Sequence, residues 1–338
     1  MNAGPPEPAD PADAADPAPD EDAADAWRIF RGDGRPRSPD LPPVPPWRRL
    51  GGPAAAGGGP RPYRIDPAHV DVVNAALQLR RPLLVTGRPG TGKTSLAHAL
   101  AHELSLGQVL HWPVNSRSNL PEALYRYDAI GRLREATLAR ETGRARSEPD
   151  IGAFLRLGPV GTALVAAGRP RVLLVDELDK GDVDLPNDLL TVFEEGSFEI
   201  PELARLPEDQ SEVRVLTADP GRATVPVTRG QVHCTEFPVV VITSNGERDF
   251  PPAFLRRCLR LELPDPDAAA LREIVEAHLG VGAMAGAEDV LAEFLERRTH
   301  RELATDQLLN AVFLRKGGVD LDAHRLLESV LHNLGGTV

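Results

Sequence analysis

The sequence is short of cysteine, of long apolar runs and of lysine, and each shortage limits what the chain can be. Its 338 residues include two cysteines, Cys234 and Cys258, which lie far apart and without metal-ligand spacing. This excludes a disulfide framework and favours a reducing compartment, with both thiols best interpreted as small buried groups. No apolar run is long enough to span a bilayer, and no secretion-signal pattern is present. We therefore expect a cytoplasmic protein without membrane insertion.

Positive charge is missing from the first part of the chain. The formal net charge is -12, and residues 1–25 contain eight acids but no lysine or arginine. The remainder holds 38 basic against 42 acidic residues, a net charge of only -4. A nearly neutral body disfavours a surface that coats nucleic acid. We therefore expect no nucleic-acid partner.

Lysine is the rarer cation by a wide margin. Of the 38 basic residues, only Lys93, Lys180 and Lys316 are lysines. A lysine ammonium is a slim point charge that can slide along a phosphate chain, whereas the planar fork of arginine does not fit there. The rarity of lysine therefore supports a phosphate-binding role for Lys93, given the segment in which it lies.

Lys93 lies in residues 87–94, whose sequence GRPGTGKT fits the phosphate-binding pattern G-x-x-x-x-G-K-[ST]. An apolar run precedes it and leucines at helical spacing follow it, which predicts a strand, a loop and a helix. Loop N–H groups would then converge on a phosphate at the positive helix end, with Lys93 on the outer phosphates. The alternative is an ordinary glycine-rich turn. The residues predicted to bind the nucleotide are Gly87, Arg88, Pro89, Gly90, Thr91, Gly92, Lys93, Thr94, Ser95 and Asp176.

Two acids follow the apolar residues 172–175 and end a predicted buried strand. A carboxylate at the C-terminal edge of such a strand lies beside the phosphate loop in a parallel sheet. We expect Thr94 and Asp176 to hold Mg²⁺, and Glu177 to activate the attacking water as general base. The alternative is that both acids are solvated and cap the next helix.

A second apolar run, residues 239–243, leads into Ser244 and Asn245. Asn245 could orient the lytic water and sense the γ-phosphate, or it could simply start the turn at Gly246. Shortly afterwards come Arg256 and Arg257, which are solvated or capping groups in the ordinary case. They are also candidates for a positive charge delivered to a neighbouring subunit.

Helical stretches alternate with five predicted strands, so the fold class is α/β with a parallel sheet. After residue 264 the pattern becomes purely helical, with candidates near 267–278, 287–297, 305–314 and 320–333. Residues 1–61 are rich in Pro, Ala, Asp and Gly and predict a disordered acidic tail. Its apolar side chains either dock or are solvated bystanders: Trp27, Ile29, Phe30 and Trp47.

The order of phosphate loop, Asp-Glu strand, Asn-ending strand, paired arginines and helical lid resembles the AAA+ ATPases, and within them the MoxR-like branch. The stretches 189–201 and 243–245 carry the branch resemblance. It covers roughly Tyr63 to the C-terminus and implies a P-loop NTPase fold, with a three-layer parallel sheet and a small all-helical lid. The implied domains are a tail at 1–61, an ATPase domain at 62–264 and a lid at 265–338.

By the same resemblance, each candidate takes a role. Lys93 and Thr94 match the Walker A pair, and Asp176 and Glu177 match the Walker B pair. Asn245 matches sensor 1, and Arg257 matches the arginine finger, with Arg256 as the alternate. The resemblance also implies ATP and Mg²⁺ as cofactors, a ring that is commonly a hexamer, and a protein client that often carries a von Willebrand A domain.

Two parts of the chain depart from the family pattern or extend it. The lid sensor arginine has no clean match: Arg301 is nearest, but residues 305–307 occupy the expected helix start. Residues 115–158 and 203–232 fit insertions of this branch. In the first insertion, Tyr125, Arg126 and Tyr127 are candidate partner contacts, and the alternative for the two tyrosines is packing in the core.

The leading hypothesis is therefore a ring-forming ATPase that remodels or activates a partner protein. The alternative is a nucleotide-gated binding or signalling module with little hydrolysis, although Glu177 and Asn245 favour turnover. A DNA-directed motor is disfavoured by the nearly neutral body. We expect the acidic tail to tune partner contacts through its charge.

Overall fold

The computed structural model describes residues 27–30, 36, 38, 40–48, 65–142, 149–166, 168–300, 302–321 and 325–333. The chain divides into two compact units, one of residues 50–273 and one of residues 1–49 with 274–338. Most of the predicted tail lies outside the described residues, as does Arg301. The domain limits at 61 and 264 stay predictions. Within the described part, no helix combines the length and apolar character needed to cross a membrane.

Five parallel strands form the core sheet, in the order β11-β1-β10-β5-β2. They are β1 (Leu83–Thr86), β2 (Leu110–Pro113), β5 (Val172–Asp176), β10 (Val239–Ser244) and β11 (Leu259–Glu262). The central runs are buried on both faces, as in β5, where residues 172–175 are fully buried. Continuous apolar strands of this kind are typical of parallel sheets covered on both sides. The predicted α/β class and parallel sheet are confirmed.

Eight α-helices lie among these strands in the described residues before 264. They are α1 (Pro67–Leu79), α2 (Lys93–Glu103), α3 (Leu120–Leu124), α4 (Ala129–Glu141), α5 (Pro159–Leu164), α6 (Leu185–Glu195), α7 (Pro201–Ala204) and α8 (Pro252–Leu255). The start of α1 shows why they begin where they do. Asp66 precedes Pro67, and its carboxylate accepts a hydrogen bond from the Ala68 N–H at 2.8 Å. Such a cap satisfies an N–H that has no partner inside the helix.

A second sheet of six strands, in the order β3-β4-β7-β8-β9-β6, was not predicted. Its strands are β3 (Tyr125–Tyr127), β4 (Leu155–Leu157), β6 (Ser197–Glu199), β7 (Glu212–Leu216), β8 (Thr224–Thr228) and β9 (Gln231–His233). All its pairs are antiparallel except β4 with β7. The two insertions expected at 115–158 and 203–232 supply nearly all of it. Its apolar side chains, such as Val215, join the same buried cluster as Val175 of the core sheet.

The C-terminal part of the described chain is helical, as predicted. Its helices are α9 (Ala268–Leu279), α10 (Glu288–Arg298), α11 (Thr305–Lys316) and α12 (Leu326–Val330). The helix expected over 320–333 is wrong in extent, because Arg325 takes a left-handed backbone (φ 51°) directly before the short α12. Left-handed residues interrupt a right-handed helix.

One segment from the start of the chain packs against these helices. The Trp47 ring lies edge-on to the Phe313 ring of α11, with 5.7 Å between centroids. Phe30, by contrast, is 88% exposed. The sequence left open whether the apolar side chains of the tail dock onto the folded protein or are solvated. Trp47 docks.

Candidate functional site

The predicted phosphate loop joins β1 to α2, and three glycines give it its shape. Gly87, Gly90 and Gly92 have φ values of +149°, +83° and +89°, which L side chains rarely adopt. A Cβ at Gly87 would also lie 2.7 Å from the carbonyl oxygen of Leu263. The outer side of the loop is open to solvent. Its exposed members are Arg88, Pro89, Gly90 and Ser95, and Thr91 is half-buried.

Lys93 is the first residue of α2, and its side chain folds back under this loop. The ammonium donates hydrogen bonds to the carbonyl oxygens of Gly87 at 2.7 Å and Arg88 at 2.8 Å. Burial lowers the pKa of Lys93, against the opposing effect of the nearby acids Asp179, Asp176 and Glu177. The loop therefore encloses a positive charge next to its converging backbone.

Asp176 ends β5 and is the centre of a small hydrogen-bond network. Its Oδ1 accepts from the hydroxyls of Thr94 at 3.0 Å and Thr243 at 2.7 Å, and its Oδ2 lies 3.1 Å from His111 Nε2. Burial alone would raise the pKa of Asp176, but the hydrogen bonds from His111, Thr243 and Thr94 together lower it. The carboxylate is thus kept ionised, as a metal ligand must be. The predicted pair Thr94 and Asp176 is brought together.

Glu177 follows with a left-handed backbone (φ 58°, ψ 49°), unusual for a residue other than glycine. Its N–H donates to the Thr243 hydroxyl at 2.8 Å, which holds the turn against β10. The carboxylate has two neighbours: Oε1 lies 3.4 Å from Asn245 Nδ2, and Oε2 pairs with Lys180 Nζ at 2.8 Å. The sequence-predicted base and sensor therefore lie side by side.

Asn245 owes its position to a residue that the sequence analysis missed. Asp179 is 3% exposed, and its Oδ2 accepts from the backbone N–H groups of Asn245 at 2.9 Å and Glu247 at 3.1 Å. Its signal in the sequence is an acid two residues after Glu177, inside a short turn. Thr243 was also missed, although its place two residues before Asn245 puts it at the same sheet edge. The sequence analysis also assigned no role in this cluster to His111 or Lys180.

The paired arginines lie away from this cluster. Arg257 Nε donates to Glu194 Oε1 at 2.8 Å, and Arg257 Nη1 donates to the Ala253 carbonyl oxygen at 3.4 Å. Within the described chain, neither Arg256 nor Arg257 forms a hydrogen bond or ion pair with the acids that follow β5. The structure therefore does not join them to the candidate site of the same chain.

The expected place of a lid sensor arginine, at the start of α11, holds Gln307. Its side chain bonds within the described chain: Oε1 accepts from the Ala304 N–H at 2.9 Å, and Nε2 donates to the His332 carbonyl oxygen at 2.8 Å. Arg301, the nearest candidate, lies outside the described residues.

Taken together, the polar ends of β1, β5 and β10 lie at one edge of the core sheet, where the glycine loop with Lys93 meets the carboxylates of Asp176 and Glu177. Residues 82–258 match the family model of the AAA domain (dynein-related subfamily), which is just over half of the chain. The matched segment contains the phosphate loop, Asp176 and Glu177 at the end of β5, Asn245 and the paired arginines. No curated protein matches the chain.

Proposed function

The chain belongs to the AAA domain family (dynein-related subfamily), and from that membership we propose that it binds Mg-ATP, hydrolyses it at the subunit interfaces of a ring, and thereby remodels or activates a partner protein. One observation carries this proposal. A lysine under a glycine loop, a threonine–aspartate pair and a glutamate–asparagine pair meet at one edge of a parallel sheet.

The phosphate loop is the proposed binding site for the triphosphate. In the described chain, Lys93 donates to loop carbonyls, which are contacts that a phosphate oxygen can replace. The N–H groups at the start of α2 and the positive end of that helix add to the attraction. Lys93 would then neutralise charge on the outer phosphates during transfer.

Mg²⁺ fits the residues beside the loop. Magnesium prefers oxygen ligands, and the Thr94 hydroxyl and the Asp176 carboxylate both offer oxygen atoms. The two groups lie together, because the hydroxyl donates a hydrogen bond to the carboxylate at 3.0 Å. Mg²⁺ held by these residues would supply positive charge that offsets the negative charge of the phosphates. Thr243 and His111 would keep the Asp176 carboxylate oriented towards the same place.

Glu177 is the proposed general base. Its carboxylate would take a proton from the attacking water, and the Asn245 amide, 3.4 Å from Oε1, would orient that water. Asp179 anchors the Asn245 backbone, so that both side chains are held by the same turn. The reaction is hydrolysis of the γ-phosphate, with water as the nucleophile.

The remaining elements of the proposal concern assembly. Arg257, with Arg256 as the alternate, would supply positive charge to ATP bound by a neighbouring copy, because in the part of the chain that the structure describes neither arginine pairs with Asp176 or Glu177. A ring, commonly a hexamer, follows from such shared sites. The insertions that build the second sheet support assignment to the MoxR-like branch. We further propose a cytoplasmic location and a protein client, with a von Willebrand A domain as the first to test.

The decisive variant is Glu177→Gln, with exposed Glu103→Gln on α2 as the matched control. We expect Glu177→Gln to bind Mg-ATP as wild type does but to lose turnover by about 10²–10⁴-fold, because only the proton acceptor is removed. Calorimetry measures binding, and steady-state phosphate release measures turnover. Wild-type turnover in this variant would contradict the assignment of the base, and absence of ATP binding in folded wild type would contradict the whole proposal.

The Lys180–Glu177 ion pair favours a second candidate, a nucleotide-gated module with little hydrolysis. A cation 2.8 Å from Oε2 competes for the carboxylate that must accept the proton. If this reading holds, wild-type turnover stays low with ATP bound, and Lys180→Met raises it. Rapid wild-type turnover that Lys180→Met does not increase would exclude the second candidate.

A further inference from the structure

Arg257 is held in a defined direction rather than left to rotate freely. Its Nε donates to Glu194 Oε1 at 2.8 Å, and its Nη1 donates to the Ala253 carbonyl oxygen at 3.4 Å. A guanidinium carries five N–H donors in a rigid planar fork, so two contacts fix the plane of the whole group. Its third nitrogen, Nη2, bonds to none of the described residues. The arginine side chain remains 39% exposed.

Glu194 is fixed to the body of the protein through the helix that bears it. It is the penultimate residue of α6, which is buried along its length at Leu189, Leu190 and Phe193. These three side chains pack in the same apolar cluster as Phe254, which belongs to α8 just before the arginines. The carboxylate and the arginine therefore stand on neighbouring parts of one packed core.

The residues next to each partner show that the contact is selective. Glu195 is adjacent to Glu194 and Arg256 is adjacent to Arg257, and both are exposed. Within the described chain, neither of these neighbours forms a side-chain hydrogen bond or ion pair. The chain thus contains a matched acid without the contact, which serves as an internal control.

We propose that Glu194 is a positioning residue that holds the Arg257 guanidinium with its free edge directed outwards, towards ATP bound by a second copy of this chain. The inference rests on the proposed function, since it requires that Arg257 act across a subunit interface. A carboxylate that binds Nε leaves the outer edge of the fork for an anion. Positioning of this kind affects turnover rather than binding, because the charge matters most in the transition state.

The test compares four variants: Glu194→Gln, Glu195→Gln, Arg257→Ala and the double variant Glu194→Gln with Arg257→Ala. We expect Glu194→Gln to lower kcat about tenfold with little change in KM, as expected for a displaced catalytic group. Glu195→Gln should match wild type. The double variant should be no slower than Arg257→Ala alone, because Glu194 acts only through that arginine. Unfolding midpoints recorded alongside confirm that the variants are folded.

Mixed assemblies give a second readout that folding defects in the catalytic subunit do not affect. Subunits with Lys93→Ala lack a working phosphate loop but keep Arg257, so they should restore turnover in Arg257→Ala subunits. Lys93→Ala subunits that also carry Glu194→Gln should restore markedly less, whereas those that carry Glu195→Gln should restore as much.

The possible outcomes separate the inference from the function on which it rests. If Arg257→Ala turns over as wild type does, the interface role of Arg257 is wrong. If Arg257→Ala is slow while Glu194→Gln matches wild type, only the positioning role is overturned. If Glu194→Gln slows the Arg257→Ala variant further, its effect does not pass through the arginine, and the inference also fails.

Discussion

The core sheet and the second sheet belong to the same unit of the chain, but their strands are patterned and used differently. The core sheet is wholly parallel, its central strands are buried on both faces, and the candidate site lies at its carboxyl ends. The second sheet is mostly antiparallel, and two of its strands alternate between buried and exposed side chains, as in β4 and β7. None of the residues predicted to bind or hydrolyse the nucleotide lies on its strands, whereas the candidate partner contacts at 125–127 form β3.

This difference separates two tasks. In the core sheet, parallel pairing brings the ends of β1, β5 and β10 to one edge, so burial of the strands positions the chemistry. The second sheet shares a buried apolar cluster with the core sheet, so its packing contributes to the stability of the same unit. Substitutions in the core-sheet loops should therefore alter nucleotide binding or turnover, whereas comparable substitutions in the second sheet should alter stability alone.

The largest expected effects come from a matched pair of glycine substitutions. A Cβ at Gly87 in the phosphate loop would lie 2.7 Å from the Leu263 carbonyl oxygen, and one at Gly152, beside β7, would collide with the Arg214 carbonyl oxygen. We expect Gly87→Ala to lose most ATP affinity, because the loop must shift. Gly152→Ala should lower the free energy of unfolding by about 1–3 kcal/mol.

The contrast between the two sheets is tested by measuring both ATP binding and thermal stability for each of the two glycine variants. Calorimetry with Mg-ATP should show that folded Gly152→Ala binds as wild type does, and thermal unfolding should show a larger loss for Gly152→Ala than for Gly87→Ala. Weak ATP binding by well-folded Gly152→Ala would mean that the second sheet takes part in the site.

A smaller effect is expected where the two sheets are joined by an ion pair. Arg171, just before β5, binds Asp219, in the loop between β7 and β8, at 2.7 Å. The Arg171 hydrogen bond lowers the pKa of Asp219 and outweighs the opposite effect of burial. Asp219→Asn should therefore cost about 1–2 kcal/mol near neutral pH.

The pH dependence of this pair has a definite sign. Because the folded-state pKa is lowered, the stabilisation is present above the usual carboxyl range and is lost as the pH falls through the lower, folded-state value. Thermal unfolding of wild type and Asp219→Asn should therefore converge in strong acid. A constant difference down to acidic pH would contradict the ionic origin of the contact.

The smallest effect is expected at Tyr125 in β3, whose hydroxyl donates to Glu202 Oε2 at 2.9 Å. Tyr125→Phe should cost about 1 kcal/mol and leave turnover unchanged. Burial and the bond to Glu202 raise the pKa of Tyr125 to about 12. The stabilisation from this hydrogen bond should persist below about pH 10, the ordinary pKa of tyrosine, and disappear as the pH rises from there to about 12. Unfolding midpoints of the two proteins at pH 8 and pH 11 check this, and a difference that grows with pH would refute it.

The same contrast explains how far the sequence alone could lead. Strands such as residues 172–176 and 239–244 were predicted within one residue, because a continuous apolar run before polar residues has few alternative structures. Three-residue strands such as β3 and β6 have no such pattern, and only pairing with distant segments makes them strands. Their sheet was therefore missed, although the insertions that contain it were recognised.

Within the site, the predicted residues were those fixed by local patterns, and the missed ones were those fixed by tertiary contacts. Lys93 and Thr94 follow from a contiguous motif. Asp179 binds the backbone of Asn245, which is 66 residues later in the sequence, and Glu194 binds Arg257, which is 63 residues later. No spacing rule in a single sequence marks such pairs, because they depend on how elements pack.

The contact between Trp47 and Phe313 has a practical consequence. It ties the described stretch around Trp47 to α11, a helix that follows residues 50–273 in the sequence, and both segments belong to one compact unit. The indole of Trp47 would therefore serve as a reporter of the packing around α11.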